Sequence, residues 1–154
     1  MKKTDFVLSD KKAILNRVSI MGDEKGIYFT FRTEMDAIAQ VLPDPLEPAF
    51  PLVSGYIVEI NKPAFAQPYR EAMLGVYAKY KGQIGMYPTT FLLSGPGAEM
   101  ATIGGRERFG LPKKMCESDE CIRIEKNGDC MRGIAERGGV TLLDVSIKLG
   151  NYNN

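Results

Sequence analysis

Lys113 and Lys114 stand side by side behind Gly110-Leu111-Pro112, in a chain of 154 residues that has no histidine. Without histidine the usual general base and the commonest metal ligand are missing, so catalysis must use Lys, Glu, Asp, Tyr or Cys. A lysine amine can attack a carbonyl carbon to form a Schiff base, but only when neutral. An unperturbed lysine, with a pKa of ~10.4, is neutral in only about four molecules per ten thousand at pH 7. Lowering the pKa to roughly 6.5 raises the reactive fraction on the order of a thousandfold, at a cost to the ammonium of about 5 kcal/mol.

By residue type alone, adjacent lysines are a solvated surface pair. Their setting changes that expectation. Pro112 disfavours the helical region at Leu111 and continues a helix poorly, so the chain should leave the preceding helix extended. Successive side chains then point to opposite faces, and one lysine can enter a cavity while the other reaches water. In that geometry desolvation by apolar walls outweighs repulsion from the neighbouring charge.

The remaining composition narrows the function classes. Lys and Arg number 20 against 19 Asp and Glu, a net charge of +1, and 44% of the residues are hydrophobic. No long basic run favours a nucleic-acid partner. Cys116, Cys121 and Cys130 are odd in number and lack repeated C-x-x-C spacing, which predicts free cytosolic thiols and neither a disulfide framework nor a good zinc site. Met1-Lys2-Lys3-Thr4-Asp5 leads into no long apolar region, and no run approaches a membrane span. A single cytoplasmic domain over residues 1–154, away from membranes, is the expectation.

The elements that must position the lysines follow from periodicity. Residues 1–25 are polar and mixed, with a short helix near Asp10–Arg17. Gly26–Arg32 alternates as a strand. A helix follows, with Thr33 as cap and Asp36 three residues on, and with Met35, Ile38, Ala39 and Leu42 as a core-facing stripe. Pro43, Pro45 and Pro48 end it. Phe50–Ile60 is a second strand with a bend at Ser54-Gly55, and 61–68 a loop. In Glu71–Tyr80, Ala72, Leu74, Val76 and Ala78 share one face while Glu71, Met73, Gly75 and Tyr77 share the other. Tyr80-Lys81-Gly82-Gln83 turns into Ile84–Leu93, where Pro88 marks an edge or a bulge.

A helix from the Ser94-Gly95-Pro96-Gly97 loop to about Arg108 comes next. The glycines do not fit a dinucleotide fingerprint, and the preceding strand belongs to a hairpin. Cys121–Lys126, Asp129–Arg137 and Val140–Leu149 complete the strands, with turns at Asn127-Gly128 and Gly138-Gly139. The pattern predicts a mainly β (α+β) fold, an antiparallel barrel- or cone-like sheet with two short helices.

Several ordered stretches resemble the acetoacetate decarboxylase family. They are Phe31-Arg32-Thr33-Glu34-Met35-Asp36-Ala37, Val41-Leu42-Pro43-Asp44-Pro45-Leu46-Glu47, Tyr69-Arg70-Glu71 and Tyr80-Lys81-Gly82. The most specific is Gly105-Arg106-Glu107 leading to Gly110-Leu111-Pro112-Lys113-Lys114. The resemblance implies that Lys113 is the Schiff-base nucleophile, that Lys114 helps to activate it, and that Glu71 handles protons. It further implies a substrate-binding set of Arg17, Tyr56 and Phe109. Two departures accompany it. Asp23-Glu24-Lys25 occupies the stretch of the family's N-terminal arginine, leaving Arg17 to serve across an insertion, and Tyr56 stands where a second family glutamate falls. Glu59 is near Tyr56 in sequence but on the opposite strand face.

The implied activity is decarboxylation of a 3-oxo acid, acetoacetate to acetone and carbon dioxide, with no metal or organic cofactor, in a homo-oligomer. Aldol, dehydration or cyclisation chemistry through the same lysine is the alternative, and so is an inactive small-molecule-binding remnant. Family members continue for many tens of residues beyond Asn154. Those residues supply further strands, so the chain is expected to be C-terminally incomplete.

Overall fold

The computed structural model describes residues 20–150. Strand β1 (Met21–Arg32), helix α1 (Met35–Val41), β2 (Glu47–Pro63), β3 (Tyr69–Tyr80) and β4 (Gln83–Ser94) come first. Helix α2 (Ala98–Phe109), the two-residue strand β5 (Lys114–Met115) and a 3-10 turn (Asp119–Cys121) follow, and then β6 (Ile122–Asn127), β7 (Cys130–Arg137) and β8 (Val140–Lys148). They form a five-stranded sheet in the order β1-β2-β3-β4-β5 and a three-stranded sheet in the order β6-β7-β8. All pairings are antiparallel except β4 with β5, where Leu92 lies opposite Lys114 and Leu93 opposite Met115.

The middle of the large sheet is buried on both faces, and the strand period of two divides its residues between two cores. Ile57, Ala72 and Leu92 face Ile122, Ala135 and Leu143 of the small sheet. The next residues along, Val58, Met73 and Leu93, face the other way and pack with Ile60, Tyr69 and Phe91 against Ala98 and Ala101 of α2. Gly133 of β7 lets the sheets approach closely, since a Cβ there would lie 2.9 Å from Ile57 Cδ1. The result is a mainly β fold in which two stacked sheets replace a closed barrel among the described residues.

Several boundaries depart from the sequence pattern. β1 begins at Met21, because Gly22 and Glu24 pair with Lys62 and Ile60 on a β2 that itself runs to Pro63. Backbone pairing there overrides a polar sequence. The predicted helix over Asp10–Arg17 lies outside the described residues. Helix α1 is capped at Glu34 with no side-chain cap bond, so Thr33 does not cap it. Ile38 is buried, whereas Met35 and Ala39 are exposed and Leu42 is half-buried, so one turn carries the contact. The bend expected at Ser54-Gly55 falls instead between Pro48 and Val53. Pro88 sits beside a register shift opposite Leu74 and Gly75, on the stretch of β4 that has no outer partner among the described strands. The first late hairpin turns at Gly128-Asp129, one residue on from its predicted place. Cys116, Cys121 and Cys130 are free thiols.

These burials separate two substitutions that look alike in the sequence. Ile57→Ala should cost about 2–5 kcal/mol through lost packing and an unfilled cavity, and Met35→Ala less than about 1 kcal/mol, as measured by urea denaturation.

Candidate active site

The site is built where α2 ends. Gly110 adopts a left-handed backbone, φ 66°, which only glycine takes without steric cost, and its N–H donates to Arg106 O. Leu111 N–H donates to Gly105 O at 3.1 Å, and Lys113 N–H donates to Leu111 O at 2.8 Å around Pro112. The chain then runs straight into β5. This sharp exit sends the Lys113 side chain inward, between α2 and the sheet, and leaves Lys114 exposed.

Lys113 is 4% exposed, and its Nζ lies 2.6 Å from Glu71 Oε2. Glu71, the third residue of β3, is 2% exposed. Its other oxygen, Oε1, accepts the Tyr56 hydroxyl at 2.6 Å. The Phe91 ring lies under the ammonium, with 4.8 Å from Nζ to the centroid. Sheet register explains the grouping. Tyr56 pairs with Met73, Val58 with Glu71 and Glu71 with Leu93, so Tyr56, Glu71 and Phe91 share one face of three neighbouring strands.

A buried ion pair of this kind is weak evidence for stability, because desolvation offsets the attraction, yet removing one partner strands a charge at a cost of about 3–5 kcal/mol. The Tyr56 hydroxyl is held well above the usual phenol range, first by burial, then by the Glu71 charge and its hydrogen bond. It therefore remains a donor. Tyr69 is raised as well, by burial and then by Glu71 and Glu24, and its hydroxyl is buried with no hydrogen-bond partner. Glu24 lies opposite Ile60 on this same face, and its carboxyl is raised by burial and then by Glu71.

A cavity of about 200 Å³ adjoins the lysine, lined among others by Phe65, Met100, Arg108, Phe109 and Leu111. The structure thus brings Lys113, Glu71 and Tyr56 into contact and puts Phe109 on the adjoining cavity. Lys114 lies on the other side of the chain, and Arg17 falls outside the described residues. Glu59 turns away and pairs with Arg70 at 3.0 Å. Phe91 and Glu24 escaped the sequence pattern, since an aromatic or acidic residue in an alternating strand carries no mark of its face until register is known. Among the described residues no group of three or more His, Cys, Asp or Glu side chains could hold a metal ion.

Residues 8–154 match the acetoacetate decarboxylase family. The chain belongs to that family. It is 39% identical over 152 residues to a CLA biosynthesis isomerase of Lactiplantibacillus plantarum, covering 97% of this chain and 53% of that protein. It is 30% identical to acetoacetate decarboxylase 1 of Bradyrhizobium diazoefficiens, covering 77% of this chain and 44% of that protein. In fold it is similar to the crystal structure of acetoacetate decarboxylase from Legionella pneumophila, with a TM-score of 0.65 and 21% identity, over 84% of this chain and 51% of that one. The chain thus spans about half the length of these family relatives. No helix among the described residues is long and apolar enough to cross a membrane.

Two neighbouring glycines of α2 give a paired test of the packing. A Cβ on Gly105 would lie 2.5 Å from Lys113 Cδ, while one on Gly104 would meet nothing within 4 Å. Gly105→Ala should therefore be destabilised by about 1–3 kcal/mol, and Gly104→Ala should be neutral or stabilised by up to about 1 kcal/mol, in thermal or denaturant unfolding. Glu24 gives a pH test. A carboxyl raised in the folded state binds its proton more tightly there than in the unfolded chain, so its contribution to stability falls as pH rises through the folded pKa. Glu24→Gln should raise stability more at about pH 7 than at about pH 4, where both forms are protonated or neutral.

Proposed function

We propose that the site carries out amine–carbonyl chemistry on a 3-oxo acid, with Lys113 as nucleophile. The buried 2.6 Å contact between Lys113 Nζ and Glu71 Oε2 carries this reading. Transfer of one proton across that contact turns the ammonium into a free amine and the carboxylate into an acid. The amine adds to the ketone, and Glu71 returns its proton to the carbinolamine hydroxyl, which leaves as water. The resulting iminium accepts the electron pair of the bond to the carboxylate carbon, and carbon dioxide departs. A proton from water, relayed by Glu71, reaches the enamine carbon. Hydrolysis then frees the ketone and restores Lys113. Tyr56 holds Glu71 Oε1 throughout, fixing the carboxyl towards the lysine. Acetoacetate is the smallest substrate of this class.

A second reading has its own support, in the 39% identity to a CLA biosynthesis isomerase over nearly the whole chain. The same iminium acidifies its neighbouring carbon. If a double bond lies one carbon further along, Glu71 can remove that proton and return one at the far end, moving the double bond into conjugation with no net loss of atoms.

Borohydride reduction in the presence of acetoacetate, between about pH 5 and pH 8, should fix a saturated adduct on Lys113 that mass mapping locates. Glu71→Gln should slow its formation by about 10²–10⁴-fold. Absence of any adduct on folded protein across that range would overturn the reading. Carbon dioxide release separates decarboxylation from isomerisation, which conserves carbon and gains conjugated absorbance.

A further inference from the structure

The cavity beside Lys113 is larger and more apolar than acetoacetate requires. Met100, Gly104 and Arg108 recur at intervals of four along α2, and Ala101, Gly105 and Phe109 run beside them, so the cavity follows one stripe of the helix. At the centre of the stripe Gly104 carries no side chain and has nothing within 4 Å of its Cβ position, which opens a channel between the flanking Met100 and Phe109, while the Lys113 methylenes fill the space over Gly105. Those two are 57% and 56% exposed, an unusual setting for large apolar residues at the two ends of one helix. Phe65 and Leu111 add to the lining. At roughly 30 Å³ for each water-sized group, the 200 Å³ space holds about six or seven such groups.

We propose that this channel holds an unbranched apolar chain of about four to seven carbons on the carbonyl compound, so that the substrate class is medium-chain oxo acids rather than acetoacetate itself. The proposal rests on the assignment of Lys113 as the nucleophile. Two features commit it to this occupant. The channel is continuous with the lysine, which is itself part of the lining, so a chain attached to the reacting carbonyl can run into it. The lining around the lysine is otherwise mainly hydrocarbon, with Phe65, Met100, Phe109 and Leu111 among it, which suits an apolar chain over a polar one. On the other side of the lysine, Glu71 and Tyr56 are committed to the hydrogen-bonded cluster.

The test compares trapping at Lys113 across straight-chain 3-oxo acids, from acetoacetate upwards one methylene at a time. Half-saturating concentration should fall roughly three- to fourfold per methylene and level off after about six. Gly104→Phe places a ring in the channel from a position with open space around its Cβ, and Met100→Glu puts a charge on its exposed wall. Each should remove at least tenfold of the preference for the longest chain over acetoacetate, and the second variant serves if the first does not fold. Calorimetric binding of octanoate to the unmodified chain, with no reactive carbonyl, gives a readout independent of the lysine. Trapping that is equal at every chain length, with no octanoate binding, overturns the proposal and leaves Lys113 as nucleophile. Octanoate binding that Gly104→Phe abolishes, with no trapping of any oxo acid, leaves the channel's ligand class standing and removes the nucleophile.

Discussion

The contact between Lys113 and Glu71 joins the two halves of the described chain. Glu71 comes from the central antiparallel strands and Lys113 from the segment after α2, 42 positions away, and neither is tolerable in the core without the other. Everything between them serves that meeting. The β3–β4 hairpin brings the sheet back to the helix, Gly110 ends the helix, and Pro112 straightens the chain before Lys113. The two residues of β5 then tie the segment to Leu92 and Leu93, which fixes how deep the lysine sits. Gly105 completes the fit, because any side chain there would occupy the space of the lysine's methylenes.

The neighbourhood is arranged so that the carboxylate, not only the lysine, is held. Both oxygens of Glu71 are engaged, one by Nζ and one by the Tyr56 hydroxyl, which leaves the carboxyl little freedom to rotate. Phe91 faces the ammonium with its π-cloud, an interaction that stabilises a cation while presenting no acceptor for its proton. Where family resemblance leads one to expect a second glutamate, Tyr56 supplies a donor instead of another negative charge. The chemistry in direct contact is therefore one carboxyl, one amine and one phenol, with Tyr69 and Glu24 further along the same face.

Much of this was legible before the structure. The alternation of Ala72 and Leu74 against Glu71 and Met73 placed Glu71 on a definite face, and the proline before the lysine pair put the two lysines on opposite faces, with the family resemblance pointing to Lys113 as the inward one. Local rules sufficed because each depends only on immediate neighbours. The partners of Glu71 were not legible in the same way. That Tyr56 reaches it depends on a pairing of β2 with β3 that no single strand specifies, and Phe91 enters through the register of the next strand. The sequence pattern also misjudged α1, where the apolar stripe implied a buried helix but a seven-residue element packed on Val53 and Val76 buries one isoleucine. Polar residues 21–25 hid a strand for the opposite reason, because the ladder to β2 satisfies their backbone whatever their side chains.

The brevity of β5 has a consequence for how molecules meet one another. Covering only Leu92 and Leu93, it leaves the longer, earlier part of β4, with exposed Ile84 and Met86, as an open margin among the described strands. Such a margin is a template for recruiting a strand from another chain, the first step of uncontrolled self-association. Pro88 stands in the middle of it, without an N–H to offer, next to a bulge that breaks the ladder's rhythm. The strand against which the lysine segment is seated therefore also carries, further along, the proline that guards its open margin.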